Sequence, residues 1–205
     1  QGKWKSYQES GALASVCNFN KGIMCDSCVY ILEDATKHTV SWNTYENEGM
    51  QMIFPYPKHW KVLENYENML VYIYDSTIID HRASSFAILI TDSISVEDHR
   101  KIEYENISLS HNVESYSYFE FTTRDDSKFY YSRFHIQDED KKIVINSFVG
   151  ATEGGHCIGF SMVSSIESHV LDYQIFVDLI NHCHIKGKRL FNPYIEVIGT
   201  SFSEE

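Results

Sequence analysis

The chain has 205 residues, of which 43% are hydrophobic and 22% charged, enough for one substantial core in an ordinary globular composition. Its 17 basic and 29 acidic side chains give a net charge of −12 with no run of Lys and Arg against it, which argues against a nucleic-acid binder. No apolar run is long enough to span a bilayer, and an aromatic content of 14% leans the chain toward β structure.

The first residues, Gln1-Gly-Lys-Trp-Lys5, include no Met, as expected of a mature secreted protein whose signal peptide has been removed, or of a trimmed chain. Residues 1 to 28 are dominated by Gly, Ser, Asn and Cys without periodicity and read as an irregular lead-in. Residues 1 to 44 are therefore assigned to a Cys-containing N-terminal extension. Five Cys lie in the chain, and an odd number leaves one free thiol or an intermolecular partner. Cys17, Cys25 and Cys28 cluster here. One CxxC falls short of the four ligands of a structural zinc site. Val29 to Leu32 after it reads as a strand, where a redox CxxC would open a helix. A local disulfide or free thiols rank first, a metal held with an outlying His second, and redox catalysis last.

Thr36 to Trp42 reads as a further strand. Met50-x-Met52-x-Phe54 alternates and runs into Pro55-Tyr56-Pro57, where the second Pro ends the ladder. Trp60 follows three residues later, and His59 beside it sits in an exposed turn. Trp60 to Glu64 and Met69 to Tyr74 read as a hairpin around residues 65–68. Ser84 to Thr91 is a strand centred on Phe86, Ile88 and Ile90. Ser95 with Asp98 three residues on resembles a capping box and opens a helix from about Val96 to Asn106. Glu97, Asp98, Glu103 and Glu105 on that helix read as a solvated face whose first-turn acids suit the dipole, or as a docking patch for a basic partner.

Val113 to Thr122, Phe129 to Ile136, Lys141 to Gly150 and His156 to Ser164 read as successive strands. Turns are expected at the acids 138–140 and at Gly154-Gly155. Ser168 to Ile185 carries one apolar stripe, Leu171, Ile175, Phe176, Leu179, Ile180 and Cys183, with Ser168 as N-cap and Gly187 as stop. Residues 188 to 205 form a tail with a candidate strand at Tyr194 to Ile198. Helical and strand periods are segregated, so the fold class is α+β: an antiparallel meander with two helices packed on it.

This order of elements resembles the PsbP-like fold, named for an extrinsic protein of photosystem II and shared with a Ran-binding nuclear import factor and bacterial secreted or lipid-anchored proteins. Tyr45-x-Asn47 with Met50-x-Met52-x-Phe54 is similar to the family's first strand. Tyr56-Pro57-x-x-Trp60 matches its Tyr-Pro-x-x-Trp signature, and Ser84 to Ile88 resembles the strand before its first helix. The resemblance covers residues 45 to 187. The Cys segment and the tail depart from it. Tyr56, Pro57 and Trp60 are a fold signature, and no catalytic role is carried over with them.

No nucleotide loop or Gly-x-Ser-x-Gly elbow is present, and Gly150 to Gly155 joins strands without the helix a phosphate loop needs. His182 and His184 are too far apart around a helix to share an ion, and His156 and Cys157 alternate across a strand. Cys157 and Cys183 read as small core residues. Cys17, Cys25, Cys28 and His59 remain the candidate metal ligands, with Asp80-His81 and Asp98-His99 as outlying ones. Tyr116, Tyr118 and Tyr130 belong to strands with aromatics on both faces, either buried on both sides or an exposed binding surface. Asn106-Ile-Ser108 is a glycosylation sequon.

The sequence thus points to a non-enzymatic, secreted or periplasmic protein with no cofactor, binding a partner protein or small ligand through its sheet face or loops. Membrane proximity would come through a partner or lipid anchor. The alternatives are a hydrolase assembled from distant residues and a metal-responsive binder built on the Cys cluster.

Overall fold

The computed structural model describes residues 2–7, 10–20, 22–65, 70–75, 84–91, 94–123, 128–138, 141–151, 157–190 and 197–204, with backbone alone at 70, 123 and 197–204. Residues 66–68 of the expected hairpin turn, Asp80-His81, Glu139-Asp140, Gly154-Gly155, His156 and Tyr194 to Glu196 lie outside them.

In chain order the elements are β1 (Gly2–Tyr7), β2 (Leu13–Asn20), β3 (Ile23–Ile31), β4 (Lys37–Asn47), β5 (Met52–Pro57), β6 (Trp60–Asn65), β7 (Leu70–Asp75), β8 (Ser85–Thr91), α1 (Val96–Ser110), β9 (Asn112–Thr123), β10 (Lys128–Asp138), β11 (Lys141–Ala151), β12 (Cys157–Ser165), α2 (His169–Asn181), β13 (His184–Ile185), β14 (Lys188–Arg189) and β15 (Val197–Glu204). The architecture is α+β, two helices on two antiparallel sheets. The chain divides into two compact units, residues 1–60 with 170–192 and residues 61–169 with 193–205.

The first unit carries a sheet of order β1-β2-β3-β4-β5-β13-β14. Where the sequence suggested an irregular lead-in over residues 1 to 28, the chain forms strands: β1 pairs with β2 and β2 with β3, placing Cys17 opposite Cys28. The lead-in hid this because β1 is an exposed edge along its whole length and shows no hydrophobic alternation. In β5 both Pro55 and Pro57 lie within the strand, opposite Thr44 and Trp42. β13 pairs with β5 only at Met52 and Ile53, so the missing proline N–H groups fall where that second neighbour has ended. Pro57 and Trp60 are buried, Tyr56 is half-buried, and His59 is exposed in the turn between them.

The stripe on α2 behaves as expected: Ile175, Phe176, Leu179 and Ile180 are buried, as is Cys183 beyond the helix, while Leu171 is half-buried. The helix ends at Asn181 rather than Ile185. His184 and Ile185 turn into β13 instead, and Lys186 and Gly187 take positive φ to make the two-residue turn to β14.

The second unit holds the sheet β15-β9-β10-β11-β12-β8-β7-β6. β8 and β9 follow one another in the chain but are separated by three strands in this sheet. Their connection, α1, therefore crosses one face over β12, β11 and β10. Ser95 caps it as expected: its side chain accepts from the Asp98 N–H at 3.0 Å and its hydroxyl donates to the Asp98 carboxylate at 2.7 Å. The candidate tail strand is realised as β15, which begins at Val197 and pairs with β9.

Candidate functional site: a cavity beneath helix α1

Side chains of a strand alternate between faces, so the face under α1 is supplied by every second residue. From β8 these are Ala87, Leu89 and Thr91; from β11, Ile145 and Ser147; from β12, Gly159 and Ser161. The registers align Ala87 with Ser161, Ser161 with Ser147, and Ser147 with Ser132. A row of small side chains thus crosses four strands directly beneath a helix that itself has no buried residue. Small residues on one side and an unfilled helix face on the other leave a cavity of about 350 Å³. Its wall is mostly apolar, with Ile94, Ile102 and Ile107 at the helical side.

Three polar residues of α1 line it, His99, Glu103 and Asn106, the first two one turn apart. His99 lies over Gly159: a Cβ at position 159 would sit 2.7 Å from the imidazole Cε1 and 2.8 Å from Nε2. Both ring nitrogens are buried with no hydrogen-bond partner, and burial lowers the pKa of the ring, keeping it neutral. Glu103, four residues on, has a buried Oε2 that also lacks a partner. Burial lifts its pKa to about 7, partly opposed by the Ser147 hydroxyl and the Arg100 charge. Glu103 is a correction to the sequence reading, which placed it on a solvated face. Glu97 does follow that reading, pairing with Lys101 at 2.7 Å, and Asp98 is held in the cap.

The tyrosines offered as a binding surface are covered instead. Tyr116 and Tyr130 are 3% and 2% exposed, and Tyr118 is half-buried. What covers them is the chain's own α1. The Arg100 guanidinium lies 4.1 Å over the Tyr118 ring and 5.4 Å from that of Tyr130, and Nη1 donates to the Tyr116 hydroxyl at 2.9 Å. Tyr104 packs on Tyr116 with ring centroids 4.7 Å apart. The aromatic platform anchors one side of the helix, and the cavity lies under the other. Phe119, on the same strand, is 36% exposed.

The cysteine cluster resolves in favour of the first-ranked reading. Cys17 and Cys28, cross-strand partners in β2 and β3, are joined by a disulfide. Cys25 sits apart against Asp26 and is free, as are the buried Cys157 and Cys183. Among the described residues, the ligand atoms that converge are those of Cys17, Cys28 and Asp178, within 4.8 Å of one another; neither Cys25 nor His59 belongs to the group. With the two sulfurs bonded to each other, neither Cys17 nor Cys28 offers a thiolate to a metal. Of the four residues in the metal reading, Cys17 and Cys28 are thus joined to each other, and Cys25 and His59 lie outside their cluster.

Gly159→Ala tests the close packing of helix on sheet. The added methyl would press on the His99 ring and displace it, at an expected cost of about 1–3 kcal/mol in urea unfolding. In a His99→Ala background the same change should cost far less, because the clash is gone. Equal costs in the two backgrounds would show that His99 does not lie on Gly159.

No family model and no curated protein matches this chain. Solved structures do. The solution structure of cyanobacterial PsbP (CyanoP) from Synechocystis sp. PCC 6803 aligns with a TM-score of 0.54 at 15% identity, over 71% of this chain and 93% of that one. The crystal structure of the Saccharomyces cerevisiae Ran-binding protein Mog1p aligns with a TM-score of 0.50 at 9% identity, over 73% of this chain and 97% of that one. At such identities the likeness concerns architecture, and it is the one the Tyr56-Pro57-x-x-Trp60 signature pointed to: the chain has the PsbP-like fold.

Proposed function

We propose that this is a non-enzymatic binding protein of an oxidising, secreted or periplasmic compartment, and that its ligand is a small, largely apolar molecule lodged beneath α1. The observation that carries the reading is the cavity itself. Its volume and its apolar wall with few polar groups are those of a small-molecule site. Binding is favoured over hydrolysis by the state of its titratable groups. His99 has no partner on either nitrogen, so the imidazole is not paired with a hydroxyl as the base of a nucleophile. Mog1p, which shares the fold, is a Ran-binding protein, in keeping with a scaffold used for binding. The Cys17–Cys28 bond supports the compartment.

The test uses 1-octanol as a neutral apolar probe. It should raise the thermal unfolding midpoint of the wild type in a saturable way. Ala87→Leu, which projects a larger side chain into the cavity, should keep the fold and lose most of that shift. Failure of the probe to bind, or an undiminished response in Ala87→Leu, would overturn the reading.

A further inference from the structure

The polar groups of the cavity also define which ligand chemistry it accepts, an inference that rests on the binding reading above. We propose that the cavity selects an apolar molecule carrying a single amine, with the Glu103 carboxylate as its counter-ion and His99 as a neighbouring hydrogen-bond acceptor.

A buried polar atom without a partner carries a desolvation cost that a native structure rarely tolerates, and it marks a place where something else is received. Here three such atoms, Glu103 Oε2 and both ring nitrogens of His99, lie one helical turn apart on the wall of one cavity. An ionised carboxylate only accepts, and a neutral imidazole accepts at one of its two nitrogens. The complement is therefore a group rich in N–H donors, and an ammonium adds charge to the match. A carboxylate ligand meets the opposite situation. Among the described residues no Lys or Arg lines the cavity, and the Arg100 guanidinium is turned onto Tyr116, Tyr118 and Tyr130. The net charge of −12 favours a cationic ligand over an anionic one in the same sense.

Protonation supports the assignment. The groups around Glu103 are His99, Arg100 and the uncharged Asn106 on its own helix and the uncharged Thr91, Ser147 and Ser161 from β8, β11 and β12. Its pKa of about 7 leaves the carboxylate mainly ionised at pH 8 and mainly protonated at pH 5.5. An alkylamine is ammonium at both.

The experiment compares n-octylamine, 1-octanol and octanoate by isothermal titration or thermal shift, on wild type and Glu103→Gln, at pH 8 and pH 5.5. Octylamine should bind wild type at pH 8 about tenfold or more tighter than octanol, with octanoate weakest. Glu103→Gln should erase the amine's advantage over octanol. If that variant does not fold, the wild type still decides: the amine's advantage should shrink several-fold at pH 5.5. Octanol binding with no preference for the amine, or octanoate binding best, overturns this assignment and leaves the cavity as a binding site. Binding of none of the three overturns both.

Discussion

Reduction of the Cys17–Cys28 bridge is expected to lower the unfolding free energy by about 2–3 kcal/mol. The residues are 11 apart in sequence, and closing a loop of that size removes this order of entropy from the unfolded chain. The strands β2 and β3 gain from it in a particular way. Both Cys are buried, 4% and 0% exposed, between a fully exposed edge strand on one side and β4 on the other. The covalent cross-link adds to the burial of Met24 and Tyr30 on β3 and ties that strand to β2. Urea unfolding with and without a dithiol reductant should separate the two forms in the wild type. Cys17→Ala/Cys28→Ala should start near the reduced wild type and show no response to reductant. A wild type indifferent to reductant would mean that the thiols are unbonded, and it would remove the main support for an oxidising compartment.

Much of the fold was legible because its signals are local. The Ser95 cap, the alternation at Met52 and Phe54 and the α2 stripe each need only a few neighbouring residues, and each is where it was expected. The errors have a common physical origin in long-range pairing. β1 has no buried face to generate a pattern, and its partner β2 is recognisable only once the Cys17–Cys28 pairing is known. α2 stops at Asn181 because His184 and Ile185 find Ile53 and Met52 across the sheet, a contact more than 130 residues away in the chain. The cavity was the least legible part. Ala87, Ser147, Gly159 and Ser161 look unremarkable in sequence and matter only because two registers bring them together under α1. The position of Glu103 four residues after His99 was a usable signal, since those two share a helix face with Ile102 and Ile107 flanking it, unlike the outward Glu97 and Asp98.

A second large effect is expected from pH acting on Asp178. Its carboxylate accepts the Tyr30 hydroxyl at 2.5 Å between α2 and β3, beside the disulfide. Burial raises its pKa to about 6, against the pull of the Tyr30 bond, while in the unfolded chain it returns to the ordinary carboxylate range. The folded state therefore binds the proton more tightly. This contribution is fully present below about pH 4 and is lost as pH rises through 6, amounting to about 2–3 kcal/mol by pH 7.5. His182, whose Nδ1 contacts the Asp178 carbonyl at 2.7 Å, acts in the opposite sense: burial lowers it to about 4, so its contribution is lost as pH falls from 6.5. His169, lowered to about 4, does the same, and Glu103, raised to about 7, sides with Asp178. In the wild type these slopes offset one another, so the profile alone reveals little. The difference between wild type and Asp178→Asn isolates one of them. Measured by urea unfolding from pH 4 to pH 7.5, the stability of the wild type relative to Asp178→Asn should fall by about 2–3 kcal/mol as pH rises. Tyr30→Phe removes the bond that favours the carboxylate, so it should move the same loss to higher pH. Parallel profiles for wild type and Asp178→Asn would show that Asp178 titrates as an ordinary solvated acid, and the buried pair with Tyr30 would not exist in solution.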